Sequence, residues 1–322
     1  MKIVILCPHG VRTGGPEALH QLSDSLHAAG HDARFWYVEQ IDFDLISRMS
    51  TIQDVVSLTP RDCVFDEYRH YKIHIFNEYN PNDQLIFVLP EVMAHLIPML
   101  QRHKVLMWWL SLDYASASIG QINFNFLRAP YVAHAAQSHY AMGGCSALGL
   151  SPQLLTDYTV TPIIPSAALD VRPPRIALNA NNKVIIDINY VERSLQDAVT
   201  GVEIIRVVNM DRRKIYETFA TSRLFIDLGS FTGKDRMPRE ALQLGCNLIV
   251  GRSGAGAHYE DYPLPEVYRP SPFDLGGVVD LAKRMVSEPA HFAPDFEAMR
   301  RDVAGERTRF NEEVVRVFAP YR

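Results

Sequence analysis

The sequence predicts an α/β protein of two domains, each an open parallel sheet flanked by helices. Three observations lead there. Short unbroken apolar runs such as Lys2–Leu6 and Leu85–Leu89 have the hydrophobicity of strands covered on both faces. These runs alternate with stretches of helical spacing, as βα units do. The alternation pauses over a proline-rich segment and then restarts.

A chain of 322 residues suits two domains. With 47% hydrophobic and 21% charged residues it can bury ordinary cores, which excludes a disordered or fibrous chain. The net charge of -5 argues against a general nucleic-acid binder, which needs a basic field. Cys7, Cys63, Cys145 and Cys246 are far apart and form no CxxC, so neither a disulfide framework nor a zinc site is expected. The chain starts directly with a strand and holds no apolar run long enough to span a bilayer. A cytoplasmic protein is expected, one that could sit peripherally at the inner face of a membrane.

The first domain is expected over residues 1–165. Strand Lys2–Leu6 leads into a loop that ends in Gly14-Gly15, and Pro16 opens a helix closed by Gly30. Leu19, Leu22 and Leu26 recur at helical spacing and face the sheet. Ala33–Val38 is the second strand. Gly14 and Gly15 thus follow the carboxyl end of a strand, where open α/β sheets bind ligands. They do not form GxGxxG, and a tight turn without a ligand would use the same glycines. Further strands are Lys72–Phe76, Leu85–Leu89, Val105–Leu110 and Tyr131–Ala136, with a helix over Val92–Gln101. Glu91 and Asp113 each lie just past a strand end, which makes them candidates for acid/base work or hydroxyl binding. A helix cap at Glu91 and a loop hydrogen bond at Asp113 are the structural alternatives. Trp108 and Trp109 lie inside a strand and belong to the core.

Pro162, Pro165, Pro173 and Pro174 cluster in an aperiodic segment, Thr161–Arg175, which reads as the linker. The second domain, 166–322, restarts with a strand over Lys183–Ile188, a helix over Val191–Val199, a strand over Glu203–Val208 and a helix capped by Asp211. The central stretch follows. Phe225-Ile226 is buried strand, Thr232–Arg236 is a charged loop, and Pro238 opens a helix that Gly245 stops. Asn247–Val250 is the next strand, and Gly251, Gly254 and Gly256 allow a loop that can approach a ligand closely. Lys234 and Arg236 before a helix N-terminus suit a phosphate or diphosphate. Glu240 in that helix could accept hydrogen bonds from two neighbouring sugar hydroxyls. A solvated loop, with Glu240 complementing the helix dipole, would show the same residues. Two long helical stretches complete the tail, the second over Phe296–Phe318. Asp42-Phe43-Asp44 is the sole Asp-x-Asp and reads as a solvated helix start rather than a metal site.

Two such domains suggest a ligand clamped in a crevice between them. Gly14-Gly15 with the helix ending in Gly30-His31, Ser138 with its helix, and Pro238-Arg239-Glu240-Ala241 with Gly245 resemble the retaining, sugar-nucleotide-dependent glycosyltransferases of the GT-B fold. That fold is two Rossmann-like domains facing across a cleft. A closer similarity is to uncharacterised glycosyltransferases of bacterial capsule and lipopolysaccharide loci. It rests on Gly14-Gly15-Pro16-Glu17, Trp108–Asp113, Gln137–Ala141, Gly233–Arg236 with Pro238–Ala241, and Asp261–Tyr268.

The resemblance implies transfer of a sugar from a nucleotide-diphosphate donor to a glycan, lipid-linked or other hydroxyl acceptor. Gly14 and Gly15 would sit beside the donor diphosphate, and Lys234 and Arg236 would neutralise it. Glu240 matches the second acidic residue of the family's E-x7-E motif. The first falls on Thr232, so Asp235 would substitute. Asp113, or Glu91, would orient the acceptor hydroxyl or take its proton. Gly254 belongs to the donor loop. No cofactor and no metal is expected, since cations and amides would neutralise the diphosphate. A sugar-nucleotide epimerase and a non-catalytic sugar-nucleotide-binding protein are the other two readings.

Overall fold

The computed structural model describes residues 2–38, 52, 64–115, 119–120, 123–164, 169–181 and 185–321. Asp42-Phe43-Asp44 and Cys63 lie outside the described residues. Cys7, Cys145 and Cys246 are free and buried. The chain divides into two compact units, Met1–Asp157 with Thr308–Arg322, and Tyr158–Arg307.

The first unit is built on a parallel sheet. Its strands are β1 (Lys2–Pro8), β2 (Asp32–Val38), β3 (Leu85–Pro90), β4 (Lys104–Trp109), β5 (Val132–Ala136) and the short β6 (Gln153–Leu154), in the order β2-β1-β3-β4-β5-β6. Helix α1 (Gly14–Ala28) connects β1 to β2, and Gly30 ends the turn at φ +86°, a left-handed backbone that glycine adopts without strain. Val4, Leu6, Phe87, Leu89, Val105, Met107 and Trp109 alternate along β1, β3 and β4 and fill one core face. The expected strand Lys72–Phe76 is instead an irregular segment touching β2 at one bridge, Phe35 with Ile75. Phe35 N–H donates to the His74 carbonyl and Phe76 N–H to the Phe35 carbonyl, both at 2.7 Å, and the ladder goes no further. Glu91–Leu100 winds as a 3₁₀ segment, not an α-helix. Met93 leaves helical backbone at φ −112°, ψ 15°, and Pro98 lacks a donor N–H. Helix α2 (His139–Ala147) is capped by Ser138, which accepts the Ala141 N–H.

The second unit holds a four-stranded parallel sheet of β7 (Arg175–Asn179), β8 (Glu203–Val207), β9 (Leu224–Asp227) and β10 (Asn247–Val250), ordered β10-β9-β7-β8. Helices α3 (Ile188–Ala198), α4 (Arg212–Thr221), α5 (Arg236–Gln243), α6 (Leu275–Ser287) and α7 (Glu297–Phe318) accompany it, and α7 ends in the first unit. The first strand here differs from expectation. It is Arg175–Asn179, directly after Pro173-Pro174, where missing N–H groups remove nothing from the ladder. Lys183 and Val184 fall outside the described residues, and Ile188 already opens α3, capped by Asp187. Helix α5 starts at Arg236, so Pro238 is its third residue rather than its first. The N–H there would lack an intrahelical partner in any case. Asp211 caps α4 as expected, accepting the Lys214 N–H at 2.8 Å. Buried Arg172 donates to the Phe219 and Ser222 carbonyls at the end of α4 and to the Leu244 carbonyl after α5. It satisfies two helix ends with one side chain.

Candidate functional site

In the first unit the chain leaves β1 for β2 on one side, and β3 lies on the other. The carboxyl ends of β1 and β3 therefore form the topological switch point, the place where open sheets take ligands. Gly14 and Gly15 open α1 beside it, and Thr13 at the N-cap makes no side-chain cap bond. A Cβ on Gly15 would meet Leu110 Cδ1 at 3.6 Å, an ordinary contact, so packing within the described residues does not demand glycine there.

Glu91 follows β3 and is 3% exposed. Its Oε2 accepts the Leu110 N–H at 2.8 Å, and the backbone N–H groups of Ser111 and Glu91 itself also face the carboxylate. Burial outweighs these bonds and pushes its pKa from 4.5 up to about 7. Gly15 and Glu91 thus meet the same residue, Leu110.

Asp113 sits on the exposed turn after β4, where its Oδ1 accepts the Tyr140 hydroxyl at 2.9 Å. Burial first, then that bond to Asp113, pushes the Tyr140 phenol up to about 12. Gly144 lets α2 lie against this turn, since a Cβ there would come within 2.3 Å of the Leu112 side chain.

In the second unit the switch point lies between β7 and β9. The loops after β9 and β10 pack on each other there. Ser253 Oγ donates to the Gly229 carbonyl at 2.7 Å and the Ala255 N–H to the Phe231 carbonyl at 2.8 Å. Gly254 has φ +49°, and a Cβ on it would fall 2.0 Å from the Phe231 carbonyl oxygen. Contact between the two loops is reason enough for that glycine. Beside them Asn181 Nδ2 donates to Asn179 Oδ1 at 2.9 Å, at the end of β7.

Lys234 is 5% exposed, and its ammonium lies 3.2 Å from both Asp302 Oδ2 and Glu306 Oε1. It is already ion-paired within its own unit. Asp235 precedes α5, and its carbonyl accepts the Tyr262 hydroxyl at 3.0 Å. Arg236 is the first residue of α5 and is half-buried. Glu240 is buried on α5, and its Oε1 accepts the Tyr216 hydroxyl at 3.3 Å. The Thr161 hydroxyl donates to the same tyrosine oxygen at 3.2 Å. So Lys234, Asp235, Arg236 and Glu240 fall on one loop and the helix that follows it, as the sequence indicates.

The sequence reading gave no role to Arg239, Asp302 or Glu306. Arg239 is fully buried and donates to the Lys234 carbonyl at 2.7 Å, the Asp235 carbonyl at 3.2 Å and Glu306 Oε2 at 2.9 Å. A readable signal existed for Glu306. It falls in register with Met299, Val303, Phe310 and Val314, the apolar face of α7. Among the described residues no group of three or more His, Cys, Asp or Glu could hold a metal ion, and no helix is long and apolar enough to cross a membrane.

No protein-family model matches the chain, and no curated protein matches its sequence. Solved structures do match, over nearly their whole length. Sucrose-phosphate synthase from Thermosynechococcus elongatus matches with a TM-score of 0.67 at 12% identity, over 100% of this chain and 98% of that one. The lipopolysaccharide outer core galactosyltransferase WaaB matches with 0.58 at 11% identity, over 98% and 99%. A UDP-forming α,α-trehalose-phosphate synthase from Burkholderia vietnamiensis matches with 0.57 at 9% identity, over 99% and 98%. The fold of the chain is the GT-B fold of these glycosyltransferases.

Proposed function

We propose that the chain is a glycosyltransferase that moves a sugar from a nucleotide-diphosphate donor to a hydroxyl acceptor. The observation that carries this reading is the fold, shared from end to end with transferases of that chemistry while each sheet keeps loops at its switch point. We assign the donor to the second unit. Breaking the bond between the anomeric carbon and the diphosphate leaves negative charge on phosphate oxygens. Lys234, Arg236 and the N–H groups opening α5 lie on the loop that would meet this charge. Asp235 and Glu240 are the acidic groups beside them, and Glu240 is the candidate for the ribose hydroxyls.

We assign the acceptor to the first unit. Its attacking hydroxyl must lose a proton. Glu91, with a pKa of about 7, changes protonation near neutrality, where a general base works best. Asp113, held by Tyr140, is the candidate for orienting the hydroxyl. A glycan or lipid-linked acceptor in surface-polysaccharide synthesis fits this reading.

A non-catalytic sugar-nucleotide-binding protein is the second reading. The buried Thr232, standing where the resemblance expects a carboxylate, favours it. The test is incubation of the full chain with a panel of sugar nucleotides and hydroxyl acceptors, with and without magnesium. Glycosylated product together with free nucleoside diphosphate supports transfer. Tight donor binding with no product from any acceptor supports the binding protein, and an epimerised donor formed without acceptor points to an isomerase.

A further inference from the structure

Helix α6 ends at Ser287, and Pro289–Phe292 winds a short helical turn after it. A cavity of about 270 Å³ opens where the two meet, lined by Lys283, Arg284, Ser287, Glu288, His291 and Phe292. Its place in the second unit is fixed by two hydrogen bonds. Arg223, the residue before β9, donates from Nη1 to the Val286 carbonyl at 2.9 Å. Asn247, the first residue of β10, donates from Nδ2 to the Pro289 carbonyl at 2.8 Å. Both residues mark the amino ends of their strands, whereas the loops of the candidate donor site leave the carboxyl ends. Four strand residues lie between those ends, roughly 13 Å of chain.

Phe292 organises the basic groups of this cavity. It is buried, Arg284 Cζ stands 5.5 Å from the ring centroid, and His291 meets the ring edge-on at 5.1 Å. Lys283, Arg284 and Glu288 are exposed and form no ion pair with another described residue. The helix dipole accounts for cations in the last turn of α6. It does not account for His291 on the next turn, and Glu288 directly after the helix has the wrong sign for it.

We propose that this cavity is a second ligand site, taking a phosphate ester that carries free hydroxyls. Its phosphate oxygens accept from Lys283, Arg284 and His291, and the Glu288 carboxylate accepts from a hydroxyl of the alcohol part. Glu288 is what separates this site from a general anion patch, because a carboxylate repels a bare phosphate and rewards a hydroxylated one. A free glycerol phosphate and a phosphoglycerol lipid headgroup share this chemistry. The role of the cavity is independent of where the sugar-nucleotide donor binds.

The test titrates the full chain with glycerol phosphate and with inorganic phosphate by calorimetry, and measures its flotation with phosphatidylglycerol or phosphatidylcholine vesicles. The wild type should bind glycerol phosphate more tightly than inorganic phosphate, or bind phosphatidylglycerol vesicles over phosphatidylcholine ones. On adding the ligand, amide exchange should slow over residues 283–292. Lys283→Met combined with Arg284→Met should weaken binding by about tenfold. Glu288→Gln should weaken the glycerol ester and not inorganic phosphate. Arg193→Met combined with Arg213→Met removes the same charge from exposed positions on α3 and α4, and should change nothing. Binding of glycerol phosphate lost in the Lys283–Arg284 variant supports a free ester as ligand. Binding of phosphatidylglycerol vesicles alone, lost in that variant, supports a lipid headgroup. A wild type that binds neither, or binding that survives in that variant, overturns the inference. Equal affinity for ester and inorganic phosphate, unmoved by Glu288→Gln, overturns it as well.

Discussion

The Glu91 carboxylate accepts the Leu110 N–H at 2.8 Å, so a buried acid at the end of β3 is tied to the end of β4. Burial raises its pKa from 4.5 to about 7. Between those values the folded chain keeps a proton that the unfolded chain gives up, so stability falls as pH rises through the window. The effect is about 3 kcal/mol, at 1.36 kcal/mol per pH unit. Glu91→Gln, which cannot ionise, should be more stable than wild type at pH 8 and lose that advantage below pH 4.5. Melting curves across pH read this directly. If Glu91 is the base, the rising limb of the pH–rate profile should vanish in the same variant.

His20 gives a slope of the opposite sign. Its ring stacks between Phe35 and Tyr68 at 4.5 and 4.4 Å, with Nδ1 bonded to the Pro16 carbonyl and Nε2 to the Tyr37 hydroxyl. Burial lowers its pKa from 6.5 to about 4, against the pull of the Pro16 carbonyl and Glu17. The folded ring stays neutral while the unfolded one takes a proton, so stability falls as pH drops from 6.5 toward 4. The loss is again about 3 kcal/mol. Acid should therefore destabilise Glu91→Gln more steeply than wild type, and His20→Phe less steeply.

Two glycines separate loop packing from helix propensity. Gly254→Ala puts a methyl group against the Phe231 carbonyl in a left-handed backbone, and should cost about 2–4 kcal/mol. Gly276→Ala, on α6 with nothing within 4 Å of the new atom, should gain about 0.5 kcal/mol. Denaturant midpoints of the two variants check both signs.

Tyr216→Phe removes the hydroxyl that donates to Glu240 and should cost about 1 kcal/mol of stability. If Glu240 holds the donor's ribose, sugar-nucleotide affinity should also fall, as calorimetric titration would show. An unchanged Kd would detach Glu240 from the donor.

Most strands were legible because both sheets are parallel and buried, which leaves unbroken runs such as Leu85–Leu89 in the sequence. Arg175–Asn179 escaped because Pro173 and Pro174 imitate a linker while standing just outside the ladder. In the candidate site, Glu91 was legible as a strand-end residue and Gly15 as part of the connection from β1 into α1, and both lie against Leu110. Lys234 was legible as a cation, but its partners Asp302 and Glu306 were not. They lie 68 and 72 residues away on a helix read for its apolar anchors. The reason for Gly254 was hidden for the same cause, since Phe231 reaches it from another strand's loop. Local pattern announces elements, whereas pairing between distant loops appears only once the sheet has set their order.

The most direct test is amide hydrogen exchange of the full chain with and without a saturating nucleoside diphosphate. A ligand at a hundredfold its Kd adds about 2.7 kcal/mol to stability, enough to slow exchange where it binds. The donor assignment predicts protection over Gly229–Arg236 and Gly251–Ala257, at the carboxyl ends of β9 and β10. Saturable binding that leaves both loops unprotected, or no binding of any nucleoside diphosphate, would contradict it.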